Sequence, residues 1–215
     1  MESWELIKIK GIPLRIHPSW FFLLFLFTWS SQAQYADVSG DSLEPLIRWT
    51  WGLITALLVF LSVLLHELGH SFVAMYEGIK VESITLFLLG GVARIEKECK
   101  TPMATLRVAA AGPLVSISLG IILLRLVGFI SQIDPLLANL FSQLGLLNLV
   151  LAFFNLIPGL PLDGGVILKA LVWKFTGSQD QGIKVANASG RIISLLSISL
   201  GILISIRGGG ISGLW

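Results

Sequence analysis

Charge is scarce in this chain. Asp, Glu, Lys and Arg make up 13% of its 215 residues, where a soluble domain carries about 25%. Hydrophobic residues reach 54% and the mean hydropathy is +0.84. A soluble globular protein is excluded; an integral membrane protein remains. The net charge of +2 is small and the basic residues fall between apolar runs, so nucleic acid is not an expected partner. A single cysteine, Cys99, rules out an internal disulfide. It lies in a charged stretch and reads as a free thiol of a reducing compartment. No internal repeat or low-complexity tract stands out. The length allows one bundle of about five spans and little else.

Histidine is equally scarce: there are three, and two fall in His66-Glu67-Leu68-Gly69-His70. On a helix, positions four apart share a face. His66 and His70 can therefore turn two imidazoles to one ion, and Glu67 can reach a water beside it. That is the donor set of a zinc hydrolase: two neutral imidazoles, an open position and a carboxylate base. A bare motif of this kind also arises by chance. Its setting argues against chance. Trp51–Leu65 holds no charged residue, and Glu67 is the only acid between Glu44 and Glu77. An unpaired charge in hydrocarbon costs at least about 2.5–3.5 kcal/mol, and satisfied core histidines would not need that glutamate.

Along the chain, residues 1–16 alternate and carry Lys8, Lys10 and Arg15, as an interfacial strand would. His17 reads as an interfacial side chain rather than a ligand. Pro18–Ala33 is a short first span. The second span runs from the interfacial Trp49 and Trp51 to Tyr76, and Gly78 ends it. Ile79–Glu98 has a period near two around Gly90-Gly91, a strand–turn–strand signal. This hairpin is either a connector or a strand edge that pairs with an extended peptide. In the second case Gly90 and Gly91 allow close approach of a substrate backbone. Ala104–Phe129 is the third span, with a small-residue run from Ala109 to Gly112 that lets helices approach closely. Leu136–Leu156 is the fourth. Thr176–Ala186 reads as a polar loop, and Ile192–Ile206 as the fifth span.

The fourth span ends in Asn155–Gly165, where Pro158 and Pro161 prevent regular helix. Broken backbone at membrane depth is tolerated only where it lines a cavity or is buried in protein. Asp163 sits there, ahead of a helix over Val166–Phe175. It can cap that helix, supply a third metal ligand, or do both. Basic residues alternate between loops, and this places the N-terminus and the basic loops in the cytoplasm. Trp49 to His66 then spans 17 residues, about 26 Å, and Leu136 to Asn155 spans 19, about 29 Å. Against a hydrocarbon core of about 30 Å, both motifs end at matching depth towards the cytoplasmic side.

The His66–His70 motif and Asn155-Leu156-Ile157-Pro158-Gly159-Leu160-Pro161-Leu162-Asp163-Gly164-Gly165 together resemble the site-2 protease family of intramembrane zinc metallopeptidases, peptidase family M50. The Ala-Gly-Pro stretch at Gly112 and the Gly90-Gly91 hairpin add to the resemblance, which covers roughly residues 10–205. It implies an all-α polytopic fold of about five to six transmembrane helices with a small membrane-associated β-hairpin. It implies Zn2+ held by His66, His70 and Asp163, Glu67 as general base, and Asn155 near the substrate carbonyl. Asn148, seven residues earlier on the same helical face, is a packing residue or a substrate contact. The expected partners are the lipid bilayer and a transmembrane protein substrate, for instance an anti-sigma factor or similar regulator; oligomerisation is left open. The expected location is a bacterial, archaeal or organelle membrane. Residues 1–215 read as one transmembrane metalloprotease domain, cut before a further span or CBS domains. The competing reading is a metal transporter or metal-binding membrane protein without hydrolase activity. A transporter would need polar groups on several spans, and spans one, three and five offer few.

Overall fold

The computed structural model describes residues 3–39, 43–87, 90–96 and 99–206. The elements are β1 (Trp4–Ile9), β2 (Ile12–Ile16), α1 (Ser19–Ser39), α2 (Pro45–Tyr76), β3 (Val81–Phe87), β4 (Gly90–Ile95), α3 (Pro102–Ile130), α4 (Pro135–Asn155), α5 (Asp163–Thr176) and α6 (Gln179–Ile204). Two compact units are present, residues 1–99 with 111–153, and residues 100–110 with 154–215.

In the first unit, α2 has Pro45 in its first turn, where a missing N–H costs nothing. It runs for 32 residues to Tyr76. Val59 packs with Leu140 and Leu144 of α4 in a buried cluster. Tyr35 of α1 is fully buried, with its hydroxyl 2.9 Å from Thr55 Oγ1. Among the described residues, four helices are long and apolar enough to cross a membrane: α2, α3, α4 and α6. The expected first span, as α1, falls outside that set. Its second half carries Ser30, Ser31, Gln32, Gln34 and Asp37, which dilute the apolar run. Ile122, Phe129, Phe153 and Leu195 are among many exposed apolar side chains on these helices, as a lipid-facing surface requires.

The expected hairpin is half of a larger element. β1, β2, β3 and β4 form one sheet in that order. β1 and β2 make an antiparallel hairpin, β3 and β4 another, and β2 joins β3 in parallel, with Leu14 opposite Ile84 and Ile16 opposite Leu86. Of the two strands of the expected hairpin, β3 is paired on both sides and offers no edge, so the edge falls to β4. Leu88, Leu89, Lys97 and Glu98 of the expected hairpin stretch lie outside the described residues.

In the second unit, α5 packs along α6. The expected polar loop over Thr176–Ala186 is also corrected. Gly177 closes α5 in the left-handed conformation (φ 71°), Ser178 accepts from the Gln181 N–H, and α6 is helical from Gln179 onward. Polarity there marks the exposed face of a helix, not its absence; Gly182 and Ala186 on the same turns are buried.

Candidate active site

His66 and His70 are both buried, on the same face of α2. Their Nε2 atoms lie 3.2 Å apart, and the rings stand at 78° to each other. Two nitrogens at the Zn–N distance of about 2.0–2.1 Å on a tetrahedral ion would be separated by about 3.3 Å. The pair thus presents two lone pairs at metal-ligand spacing. His66 Nδ1 lies 2.9 Å from Ser116 Oγ on α3, and Ser116 is fully buried. With Nδ1–H donated to Ser116, the Nε2 lone pair is the one that faces a metal, the usual partner arrangement behind a ligating imidazole.

Gly112 makes room for this pair. A Cβ built there would collide with His70 Nε2 and lie 2.7 Å from His66 Nε2. Gly112 and Ser116 are one helical turn apart, so α3 supplies both the space and the orienting hydroxyl. Sequence reasoning assigned the small-residue run to helix packing, and Gly69 does approach the Ala111 carbonyl. It missed Ser116, whose only signal is its place four residues after Gly112.

Glu67 meets the sheet. A Cβ at Gly91 would lie 2.5 Å from Glu67 Cγ and 3.2 Å from its Oε1, so β4 passes with its backbone against that carboxylate side chain. Gly90 turns into the strand at φ 124°, a conformation side chains disfavour.

Asp163 is the first residue of α5. The cap position itself is Leu162, which makes no side-chain cap bond. A carboxylate in a first turn also suits the positive end of the helix dipole. The segment between α4 and α5 satisfies its broken backbone locally: Gly159 N–H donates to Ile157 O (2.8 Å) and Leu162 N–H to Gly159 O (3.0 Å). Gly164 and Gly165 lie against the Leu156 and Gly159 backbones where no side chain fits, which holds the start of α5 on that segment. His66 and His70 on α2 supply two imidazoles, and Asp163 at the start of α5 supplies a carboxylate. Two imidazoles and a carboxylate fit zinc and leave a fourth position open.

Asn155 is the last residue of α4. Asn148 is buried; its Nδ2 donates to Ser62 Oγ (3.0 Å) and to Leu144 O (2.8 Å), tying α4 to α2 one turn before His66. Its Oδ1 is buried with no hydrogen-bond partner among the described residues.

The model of peptidase family M50 matches residues 54–140 and 130–198. A candidate zinc metalloprotease of Synechocystis sp. is 47% identical over 199 residues, covering 91% of this chain and 51% of that protein. A zinc metalloprotease of Methanocaldococcus jannaschii is 40% identical over 204 residues, covering 94% of this chain and 54% of that protein. The solved structure of the site-2 protease from Methanocaldococcus jannaschii superposes with a TM-score of 0.61 at 34% identity, covering 99% of this chain and 91% of that one. The chain spans about half the length of the curated relatives it matches. With the motif helix inside the matched region and the fold shared with a solved member, this chain belongs to peptidase family M50.

Proposed function

We propose that the chain is a zinc metalloprotease that hydrolyses peptide bonds within or near the transmembrane segments of membrane-anchored proteins. The observation that carries the reading is the pair of buried imidazoles on α2, His66 and His70, with Nε2 atoms 3.2 Å apart and Glu67 beside them, in a chain of family M50; Asp163 is the third ligand of this reading. Zinc at this site supplies Lewis acidity, making a water easier to deprotonate and a carbonyl easier to attack.

The protein's own groups perform the rest. The Glu67 carboxylate accepts a proton from the attacking water as the water oxygen bonds to the scissile carbonyl carbon. Asn155 donates a hydrogen bond to the oxygen on which negative charge develops. Glu67 then passes its proton to the departing amide nitrogen, the C–N bond breaks, and a carboxylic acid and an amine leave. Ser116 keeps the His66 ring in its ligating tautomer throughout.

The substrate must present an extended segment, because a helix hides its carbonyls in hydrogen bonds. The β4 edge can pair with such a segment, and its other contact, Gly91 against Glu67, supports delivery next to the base. Gly90 and Gly91 leave room for the substrate backbone; Asn148 Oδ1 is the part of that side chain left to meet a substrate N–H. The substrate class of this reading is a membrane-anchored regulator, for instance an anti-sigma factor. The alternation of basic loops supports a site towards the cytoplasmic side.

The deciding experiment is cleavage of a tagged single-span model substrate by the purified protein in detergent. Cleavage should stop with a zinc chelator and return with added Zn2+. Zinc binding without any cleavage would favour a metal-binding or transport role instead.

A further inference from the structure

The sheet has a second face, and it carries a site the protease chemistry does not use. β2 buries Ile12, Leu14 and Ile16, so Arg15 points the other way. Register places Arg15 opposite Thr85 and Arg94 opposite Ser83. These four side chains line one cavity of about 700 Å³, together with His17 and Ser19 where β2 leads into α1. That volume lies within the usual range of about 300–1,000 Å³ for a small-molecule site.

The lining is that of an anion site. No carboxylate lines it among the described residues. Glu5, opposite Arg15 across the β1–β2 pair, has its carboxylate 3.8 Å from Lys8 Nζ instead. Arg15 on β2 and Arg94 on β4 flank the β3 hydroxyls from two strand spacings apart, about 10 Å. Two guanidinium arms can close over one phosphate from those positions, and Ser83 and Thr85 offer O–H donors beneath it. Ser19 N–H donates to His17 Nδ1 (3.2 Å), which leaves the ring proton on Nε2 as one more donor.

The position selects the source of the phosphate. Ser3 and Ser19 lie on the cavity wall, and the next residues along the chain include Trp4 and Phe21, exposed and with ring centroids 6.2 Å apart. Phe22 is exposed beside them. An exposed tryptophan, Trp4, beside the apolar first half of α1 marks the headgroup level of a bilayer. Phe87 and Val92 add apolar wall to the cavity, suited to the glycerol end of a lipid rather than to a free ion. We propose that this cavity binds the phosphate of an anionic phospholipid headgroup, clamped between Arg15 and Arg94.

The test uses the full chain, reconstituted in vesicles of phosphatidylcholine and phosphatidylglycerol, extracted into detergent and weighed by native mass spectrometry. The wild type should retain phosphatidylglycerol. Arg15→Gln combined with Arg94→Gln should lower retention on the order of tenfold or more, since each arginine supplies charge-assisted bonds. Lys174→Gln combined with Lys184→Gln removes the same charge elsewhere and should retain the lipid. Equal loss in both double variants would reduce the effect to net charge and overturn the site. Circular dichroism checks each fold. If the glutamine pair does not fold, Arg15→Lys with Arg94→Lys decides: it keeps charge but loses the bidentate fork, so retention must fall, and wild-type retention would overturn the clamp. In a parallel arm, inorganic phosphate is titrated into protein held in phosphatidylcholine alone. Arginine-dependent phosphate binding without phosphatidylglycerol retention would overturn the lipid assignment in favour of a soluble phosphate.

Discussion

Replacing Gly112 with alanine tests the metal site without touching a ligand. The added Cβ would stand 2.7 Å from His66 Nε2 and closer still to His70 Nε2, where ordinary contact begins at 3.4 Å. The neighbours must therefore give by about 0.7 Å or more. The options are few. Pro113 follows and is buried, so the α3 backbone cannot easily withdraw. His66 is held at Nδ1 by Ser116 from the same helix. The two imidazoles must separate or tilt, whereas a metal site tolerates ligand distances within about 0.2 Å. Overpacking of this kind costs typically about 1–3 kcal/mol of stability, and misplacement near 1 Å costs about 10²-fold in rate. The purified Gly112→Ala protein should therefore fold, lose most of its zinc by atomic absorption, and cleave a model substrate about a hundredfold more slowly. Gly128→Ala is the control, because a Cβ there meets nothing within 4 Å; it should behave as wild type. Full zinc occupancy and normal turnover in Gly112→Ala would refute the placement of α3 against the histidines.

Glu67→Gln keeps the shape but cannot take a proton; zinc content should stay normal while cleavage falls by about 10²–10⁴-fold or more, and wild-type turnover would remove Glu67 as the base. Asp163→Ala removes a ligand, so zinc content and activity should fall together; full zinc in a folded variant would reduce Asp163 to its helix-terminal role. Ser116→Ala frees the His66 ring and should weaken zinc affinity about 10–100-fold, read by chelator competition. Proline at successive positions of β4, which cannot donate to a ladder, should lower cleavage at alternate sites with zinc unchanged; uniform tolerance across the strand would end the edge-pairing idea.

The candidate site is legible in the sequence where local rules govern it. The spacing of His66 and His70 follows from helical periodicity alone. Asp163 stood out because Pro158 and Pro161 break the backbone at a depth where that requires a reason. Ser116 was not legible: it meets His66 across 50 residues of sequence, and a serine in an apolar helix commonly turns back to its own backbone, as Ser118 does to Leu114 O. The fold divides the same way. The alternation of residues 1–16 announced a strand, but not that it folds into a hairpin whose β2 lies parallel to β3. Parallel register is set by packing on both faces, and nothing local encodes it. The polar start of α6 was lost because charge and amide residues mark a solvated helix face as readily as a loop; Gly182 against the Lys169 carbonyl is a tertiary fact.

The parallel joint between β2 and β3 also dictates an order of biogenesis. β2 emerges early in synthesis, yet its partner follows only after α1 and α2 have been made. Until then the β1–β2 hairpin stands alone, and isolated two-stranded ribbons are marginal in water. The strand that will lie against Glu67 comes later still. The Glu67 carboxylate thus acquires its β4 neighbour only after the whole motif helix has been made. A nascent chain halted before that point carries His66, Glu67 and His70 without the sheet beside them, so the order of the chain itself delays completion of these surroundings.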